Sequence, residues 1–390
     1  MRRLFIVITV ILMSFLFINL AFTKNSNPQV ISPQVFTFKI PDSQLTPIQL
    51  LGKKLFNDRN LSTPPGQGCV DCHSPQSGFA NPNPDYPDSQ GVLKDRFGNR
   101  NDLPAGYAAF SPDFHYNDEE EEELYVGGQF WDGRAKDLIE QAKGPFLNPL
   151  EMANPDEQTV VEKIKQAEYA DLFREVFGKD AFDDTLQAYH YAAVAIAEFE
   201  KTEEFSPFTS KYDYYLKGKT KLTEQELRGL QLFEAEDKGN CAECHPSRPA
   251  EDGTPPLFTD FTYDNLGVPK NAELPFYYLP KELNPDGLFF VDLGLGGALD
   301  KPEEYGKFKV PSLRNLALTG PYLHNGFFKT IRQVVAFYNT RDVGPWPEPE
   351  VKININKDEL GNLGLTEQEV DDIVAFMLTL TDGYLPDNDK

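Results

Sequence analysis

The sequence predicts a mainly α-helical protein in two halves, with long irregular loops between the helices. Three observations carry that prediction. Apolar residues recur at helical spacing in several stretches. Three times, a threonine with Gln or Glu three residues on marks a helix start. Two of those starts run into the same C-x-x-C-H pentad.

The paired starts come first. Thr46-Pro-Ile-Gln49 precedes Leu51-Gly-Lys-Lys-Leu-Phe56, and Thr223-Glu-Gln-Glu226 precedes Arg228-Gly-Leu-Gln-Leu-Phe233. Leu227, Leu230 and Phe233 then share one helical face. The threonine hydroxyl can accept a hydrogen bond from the third helical amide, while the Gln or Glu reaches back. Each half therefore opens with a short helix leading into a cysteine pair, an internal duplication. Residues 156–177 place Val160, Val161, Ile164, Ala167, Phe173 and Phe177 at helical spacing and end at Gly178. Residues 183–200 repeat the pattern with Leu186, Tyr189, Ala193, Ile196 and Phe199. The third box, Thr366-Glu-Gln-Glu369, starts a terminal helix that buries Val370, Ile373, Phe376, Met377 and Leu380. Loops rich in Pro, Gly, Asn and Asp fill 76–118 and 246–307. Lys and Glu dominate 201–222, which divides the mature chain into 25–205 and 206–390. Glu119 to Glu123 reads as a solvated insertion.

Arg2 and Arg3, an apolar run from Leu4 to Phe22 and the polar Lys24-Asn-Ser-Asn-Pro28 have the order of a secretory signal. Ala21-Phe22-Thr23 is a mediocre cleavage site, so residues 1–24 are either a signal peptide or an uncleaved anchor. No cysteine follows the run, which excludes a lipoprotein. The expected location is periplasmic, with the membrane reached only through that segment. The net charge of −24 disfavours nucleic acid and anionic lipid as partners and would attract a basic or neutral electron carrier. Solubility alone is an equally good reason for it.

All four cysteines lie in Cys69-Val-Asp-Cys-His73 and Cys241-Ala-Glu-Cys-His245. Two thiols on one turn can add to the two vinyl groups of one haem, and the histidine then lies under its iron. A thioredoxin-like pair does not need the histidine. A zinc site would need the two distant pairs to meet, and local disulfides would be strained at this spacing. The motifs predict two covalently bound c-type haems in two cytochrome c-like domains. The sixth iron position decides function: filled, the haem transfers electrons; open, it can bind peroxide. Beyond residue 24 the other candidates are His115, His190, His324, Met152 and Met377. His115 in a polar loop and His190 in an amphipathic helix read as structural. Composition does not give both irons a standard ligand.

Further motifs are Gln129-Phe-Trp-Asp-Gly-Arg134, Glu140-Gln-Ala142, Asn148-Pro-Leu-Glu-Met152, Val310-Pro-Ser-Leu-Arg-Asn315 and Leu318-Thr-Gly-Pro-Tyr-Leu-His-Asn-Gly326. With these, residues 44–385 resemble the bacterial di-haem cytochrome c peroxidases and their MauG-type relatives. Phe258-Thr-Asp-Phe261 and Asn265-Leu-Gly-Val-Pro269 resemble the MauG-like branch in particular. The resemblance implies a peroxidatic N-terminal haem, with Gln141 orienting hydrogen peroxide, Glu151 moving its proton and Trp131 relaying electrons between the haems. It implies a C-terminal haem capped by Tyr338 where classical members place a methionine, which favours oxidised iron. It also implies a calcium ion held by Asn101, Thr319 and Pro321, and a small cytochrome c or cupredoxin as electron donor. Classical members often carry a displaceable histidine after the first motif. Residues 85–100 have none, so the first haem is expected to be open without reductive activation. MauG carries a tryptophan just before its second motif, where Lys238-Gly-Asn240 stands here. The primary expectation is therefore a di-haem peroxidase. A MauG-like oxidant of a protein or small molecule, or a non-catalytic electron-transfer cytochrome, are the competing readings. A homodimer is left open.

Overall fold

Two crossings of helices organise the fold, and both are made by the same contact. The computed structural model describes residues 38–118 and 124–386. The residues of the signal or anchor reading and the acidic run 119–123 lie outside these. In chain order the helices are α1 (Pro47–Asn57), α2 (Cys69–Cys72), α3 (Leu138–Leu147), α4 (Glu157–Gln166), α5 (Ala170–Phe177), α6 (Thr185–Glu200), α7 (Lys211–Leu216), α8 (Glu224–Glu234), α9 (Gly294–Leu299), α10 (Ile331–Thr340) and α11 (Glu367–Leu378). Two small antiparallel hairpins pair β1 (His115–Asn117) with β2 (Leu124–Val126), and β3 (Tyr263–Asp264) with β4 (Phe308–Lys309). The fold is mainly helical, as the periodicity predicts.

α1 crosses α6, and α8 crosses α11. A Cβ added at Gly52 would lie 1.9 Å from the Ala195 carbonyl oxygen; one at Gly229 would lie 1.9 Å from that of Asp372. Glycine is therefore required at both crossings, because the backbones touch. An edge-on aromatic pair closes each: Phe56 with Phe199 at 5.7 Å, Phe233 with Phe376 at 5.2 Å. Around the crossings lie two apolar cores, one running from Leu51 to Phe205 and the other from Tyr212 to Leu380. Each fully buried Phe or Leu in them contributes about 1.5–3 kcal/mol.

The three expected capping boxes form at Thr46, Thr223 and Thr366. Two more form at Ser210 and Thr330. The stretch 156–177 is broken into α4 and α5 at Ala167–Tyr169. There the Tyr169 hydroxyl donates to Asp58 at 2.6 Å, a long-range bond that local spacing cannot reveal. Of the residues expected inside α6, Leu186 is 66% exposed, while Tyr189, Ala193, Ile196 and Phe199 are buried, joined by Ala188 and Ala192. Between the cores, the segment 201–222 is anchored by α7. Asp213 accepts two hydrogen bonds from Arg314, both 2.9 Å, with both side chains out of solvent. The guanidinium also lies over Tyr107 and Phe208 at 4.8 and 4.6 Å, so it ties the junction to both sides.

Candidate active site

The end of α1 positions the first pentad. Asp71 accepts from the Gly68 amide at 2.9 Å and is paired with Arg59, which clamps the turn holding Cys69 and Cys72. His73 Nδ1 faces the Phe79 carbonyl at 3.0 Å. In the second half, His245 Nδ1 faces the Phe258 carbonyl at 2.7 Å. A carbonyl only accepts, so each ring donates from Nδ1 and keeps the Nε2 lone pair for a metal. Burial lowers both imidazoles, His245 to about 4, which favours the neutral ligand form.

Each histidine sits in the wall of a cavity. The first encloses about 1790 Å³, counting space open to solvent, and the second about 850 Å³. Gln141 from α3 and Glu151 from the turn after it both line the first cavity, with the cysteines and His73. Asn148 Nδ2 donates to Glu151 Oε1 at 2.7 Å. Burial raises the Glu151 carboxyl, outweighing the opposing effects of Arg134 and Asn148. Among the described residues lining this cavity, His73 is the sole histidine. The second cavity is lined by Cys241, Cys244, His245 and, from α10, Tyr338. Burial and the neighbouring cysteines raise the Tyr338 phenol well above its ordinary value, so a phenolate there requires an adjacent cation such as ferric iron.

Trp131 lines both cavities. Its indole Nε1 donates to the Asn101 carbonyl at 2.7 Å, and its own carbonyl accepts from the Lys309 amide at 2.9 Å. Lys309 also lines both cavities. Its buried ammonium donates to Ser111 Oγ at 2.6 Å and to the Gly128 carbonyl, and has no carboxylate partner among the described residues. Burial pushes it down to about 7. His324 stacks flat on Phe308 at 3.6 Å, with its edge toward Trp131 at 6.5 Å. Its buried Nε2 has no protein partner.

These leftovers test whether haem fits. A c-type haem needs two thiols on one turn, a neutral histidine, an apolar cavity and donors for its propionates. The first three are present twice. Lys309 has a donor to spare at the walls of both cavities, and the buried His324 Nε2 at the second has no protein partner among the described residues. The residues fit the group.

Asn101 Nδ2 donates to the carbonyls of Pro321 and Leu323 at 2.7 and 3.0 Å, and Thr319 is buried close by in the chain. Both carboxylate oxygens of Asp88 are buried without a hydrogen-bond partner, and burial with neighbouring Asp102 raises that carboxyl to about 8. His115 caps its own turn by facing the Asp113 carbonyl at 2.8 Å, and His190 lies beside Tyr191; neither lines either of these two cavities. Sequence reasoning missed Lys309, Glu200 and the buried Arg100, which bridges Asp132 and Asp292 at 2.6 Å each, and it named His324 only as a candidate iron ligand. A signal existed in part: Lys309 stands one residue before a quoted motif, and Asp132, the partner of Arg100, lies inside another.

The fold and the two cavities define a two-haem c-type cytochrome. A model of the di-haem cytochrome c peroxidase family matches residues 48–221. The methylamine utilization protein MauG of Paracoccus denitrificans is 40% identical over 351 residues, 85% of this chain and 88% of that protein. The cytochrome-c peroxidase IdrP1 of Denitromonas iodatirespirans is 30% identical over 87% of this chain and 83% of its own. The solved diheme peroxidase BthA of Burkholderia thailandensis is 32% identical, with a TM-score of 0.75 over 88% of this chain and 89% of that one. The chain belongs to the di-haem cytochrome c peroxidase and MauG family, and it binds two c-type haems.

Proposed function

We propose that this chain reduces hydrogen peroxide to water at the first haem, with electrons passed from the second. The observation that carries the reading is the shared wall. Trp131 borders a cavity holding Gln141 and Glu151 on one side, and a cavity closed by Tyr338 on the other. One peroxide, two electrons and two protons give two waters. Cys69, Cys72 and His73 would hold the first haem, which would supply a peroxide-binding position and electrons for breaking the O–O bond. Gln141 orients the bound peroxide through its amide. Glu151 takes the proton from the near oxygen and returns it to the far one, and a carboxyl raised by burial suits both roles. Asn148 holds the carboxylate in place. Tyr338, with His245, would hold the iron of the second haem, which would then serve for electron transfer.

Stopped-flow spectroscopy of the diferric protein mixed with peroxide tests this. A rapid change without prior reduction is expected; two low-spin haems inert to peroxide would sink the reading. Tyr338→Phe is expected to abolish the low-spin ferric signal of the second haem, and an unchanged spectrum would remove Tyr338 as a ligand.

The electron donor is a small cytochrome c or cupredoxin, consistent with the acidic chain. Export to the periplasm is read from residues 1–24. No described helix is long and apolar enough to cross a membrane. A calcium ion fits at Asn101, with the amide turned to offer its oxygen beside the Pro321 carbonyl, near buried Asp88 and Thr319. It would pin the first half's loop to the second. Chelation is expected to lower the melting temperature, and an unchanged melt would exclude the ion. A MauG-like oxidation of an external substrate would leave oxidised product at the expense of peroxide, in the absence of any reduced donor.

A further inference from the structure

One apolar surface stands apart from both cavities. Phe289 is 90% exposed, Tyr278 67%, Leu288 55% and Val291 42%. All four sit on one loop, where the short turns Pro275–Tyr278 and Gly287–Phe289 pack together. The loop is held rigidly. The Lys270 ammonium donates to the Leu288 and Phe290 carbonyls at 2.8 and 2.6 Å and lies over the Tyr277 ring at 4.2 Å. Asn284 donates to the Phe276 and Gly287 carbonyls at 3.0 and 3.2 Å. Beneath it, Leu274, Phe276 and Tyr277 form a small core of their own. A mobile loop would hide such side chains by collapsing; this one is built to present them.

The underside of the loop packs on residues that line the two cavities. Leu150, which lines the first, packs against the small core. The Tyr277 hydroxyl meets Glu350 at 3.4 Å, and Glu350 and Asp292 line the second cavity. Exposed Glu273, Glu282 and Asp286 rim the patch against one exposed lysine, Lys281. With a chain charge of −24, a second copy would be repelled, whereas a basic partner would be drawn in.

We propose that the Tyr278–Leu288–Phe289–Val291 patch is the docking surface for the electron donor, a small basic redox protein whose apolar edge is ringed by lysines. This rests on the peroxidase reading. Each encounter delivers one electron, so two encounters, with two protons from solvent, serve one peroxide. Apolar contact supplies the affinity and the acidic rim supplies the approach.

The holoenzyme is assayed with peroxide and two donors: reduced mammalian cytochrome c, which is small and basic, and the dye tetramethyl-p-phenylenediamine. Phe289→Asp and Leu288→Asp are expected to raise the KM for the cytochrome about tenfold or more. Turnover with the dye should stay within about twofold, and added salt should weaken the cytochrome reaction of the unmodified protein. Equal loss with both donors, or no change with either, overturns the proposal and leaves the peroxidase reading standing. Dye turnover with no cytochrome turnover in the unmodified protein does the same. A dimer dissolved by Phe289→Asp with unchanged donor kinetics assigns the patch to a second copy and also overturns it. Failure of both donors with the unmodified protein defeats the peroxidase reading itself.

Discussion

The two halves share a scaffold and differ in what faces the histidine. In both, a glycine lets two helix backbones touch, an edge-on phenylalanine pair closes the crossing, and a carbonyl fixes the imidazole. Gln141 and Glu151 share the first histidine's cavity, and Tyr338 shares the second's. Even the crossing helices diverge by one residue. Glu200 follows Phe199 where Met377 follows Phe376, and burial lifts that carboxyl to about 8. The duplicated parts carry the haem-attachment pentads, while α3 brings Gln141 to the first cavity and α10 brings Tyr338 to the second.

The largest expected effect tests the junction on which both halves depend. Arg314→Met leaves Asp213 buried without its partner and should cost about 3–5 kcal/mol in urea unfolding. The pH dependence sharpens it. Burial works to raise the Asp213 carboxyl, but the Arg314 hydrogen bonds and charge outweigh it, so the folded value lies below the ordinary one. The pair's stabilisation is therefore complete above the ordinary carboxylate range and is lost as pH falls through the folded value. In the variant only the Ser210 hydrogen bonds still oppose burial, so the folded value rises relative to the wild type and acidification should narrow the gap. A gap independent of pH would show that lost packing, not the charge, carries the effect.

The next effect separates the two haems. Glu151→Gln should slow peroxide cleavage about a hundredfold or more while leaving the second haem's spectrum unchanged. A matching loss of the second haem's signal would mean that the halves are not functionally distinct.

How much of this could be read from the chain follows from range. The pentads and capping boxes are local, so haem attachment and the starts of α1, α8 and α11 were legible. The resemblance placed Gln141, Glu151, Trp131 and Tyr338, and these do line the two cavities. α3 was hidden because Gly144 and Pro145 interrupt its pattern. α10 had a readable Thr330-to-Gln333 box, which was overlooked. The Arg314–Asp213 pair joins residues 101 apart, and Lys309 reads as an ordinary surface lysine until the fold buries it.

A smaller effect should be equal in the two halves. Gly52→Ala and Gly229→Ala each push a methyl into a backbone carbonyl that cannot move aside, at a cost of about 1–3 kcal/mol. Unfolding followed separately at each haem's absorption band should show each variant loosening its own half first. If either glycine loosens both haems together, the crossings are not independent supports.

The smallest effect asks whether even the caps are equivalent. Thr46 and Gln49 exchange hydrogen bonds of 3.4 and 3.0 Å; Thr223 and Glu226 exchange bonds of 3.2 and 2.6 Å. The second box uses a carboxylate where the first uses an amide, and a charged acceptor makes the stronger bond. Its negative charge also lies at the helix N-terminus, where the backbone dipole favours it. Thr→Ala should cost about 1 kcal/mol at either position. Replacing the partner separates them: Glu226→Ala should cost a few tenths of a kcal/mol more than Gln49→Ala at low salt. That excess should shrink in high salt, because screening weakens the charge–dipole interaction and leaves neutral hydrogen bonds alone. Glu226 also accepts from the Lys211 ammonium at 2.6 Å, so the comparison is cleanest in a Lys211→Met background. An excess that persists there in high salt would place the difference between the halves in packing and not in charge.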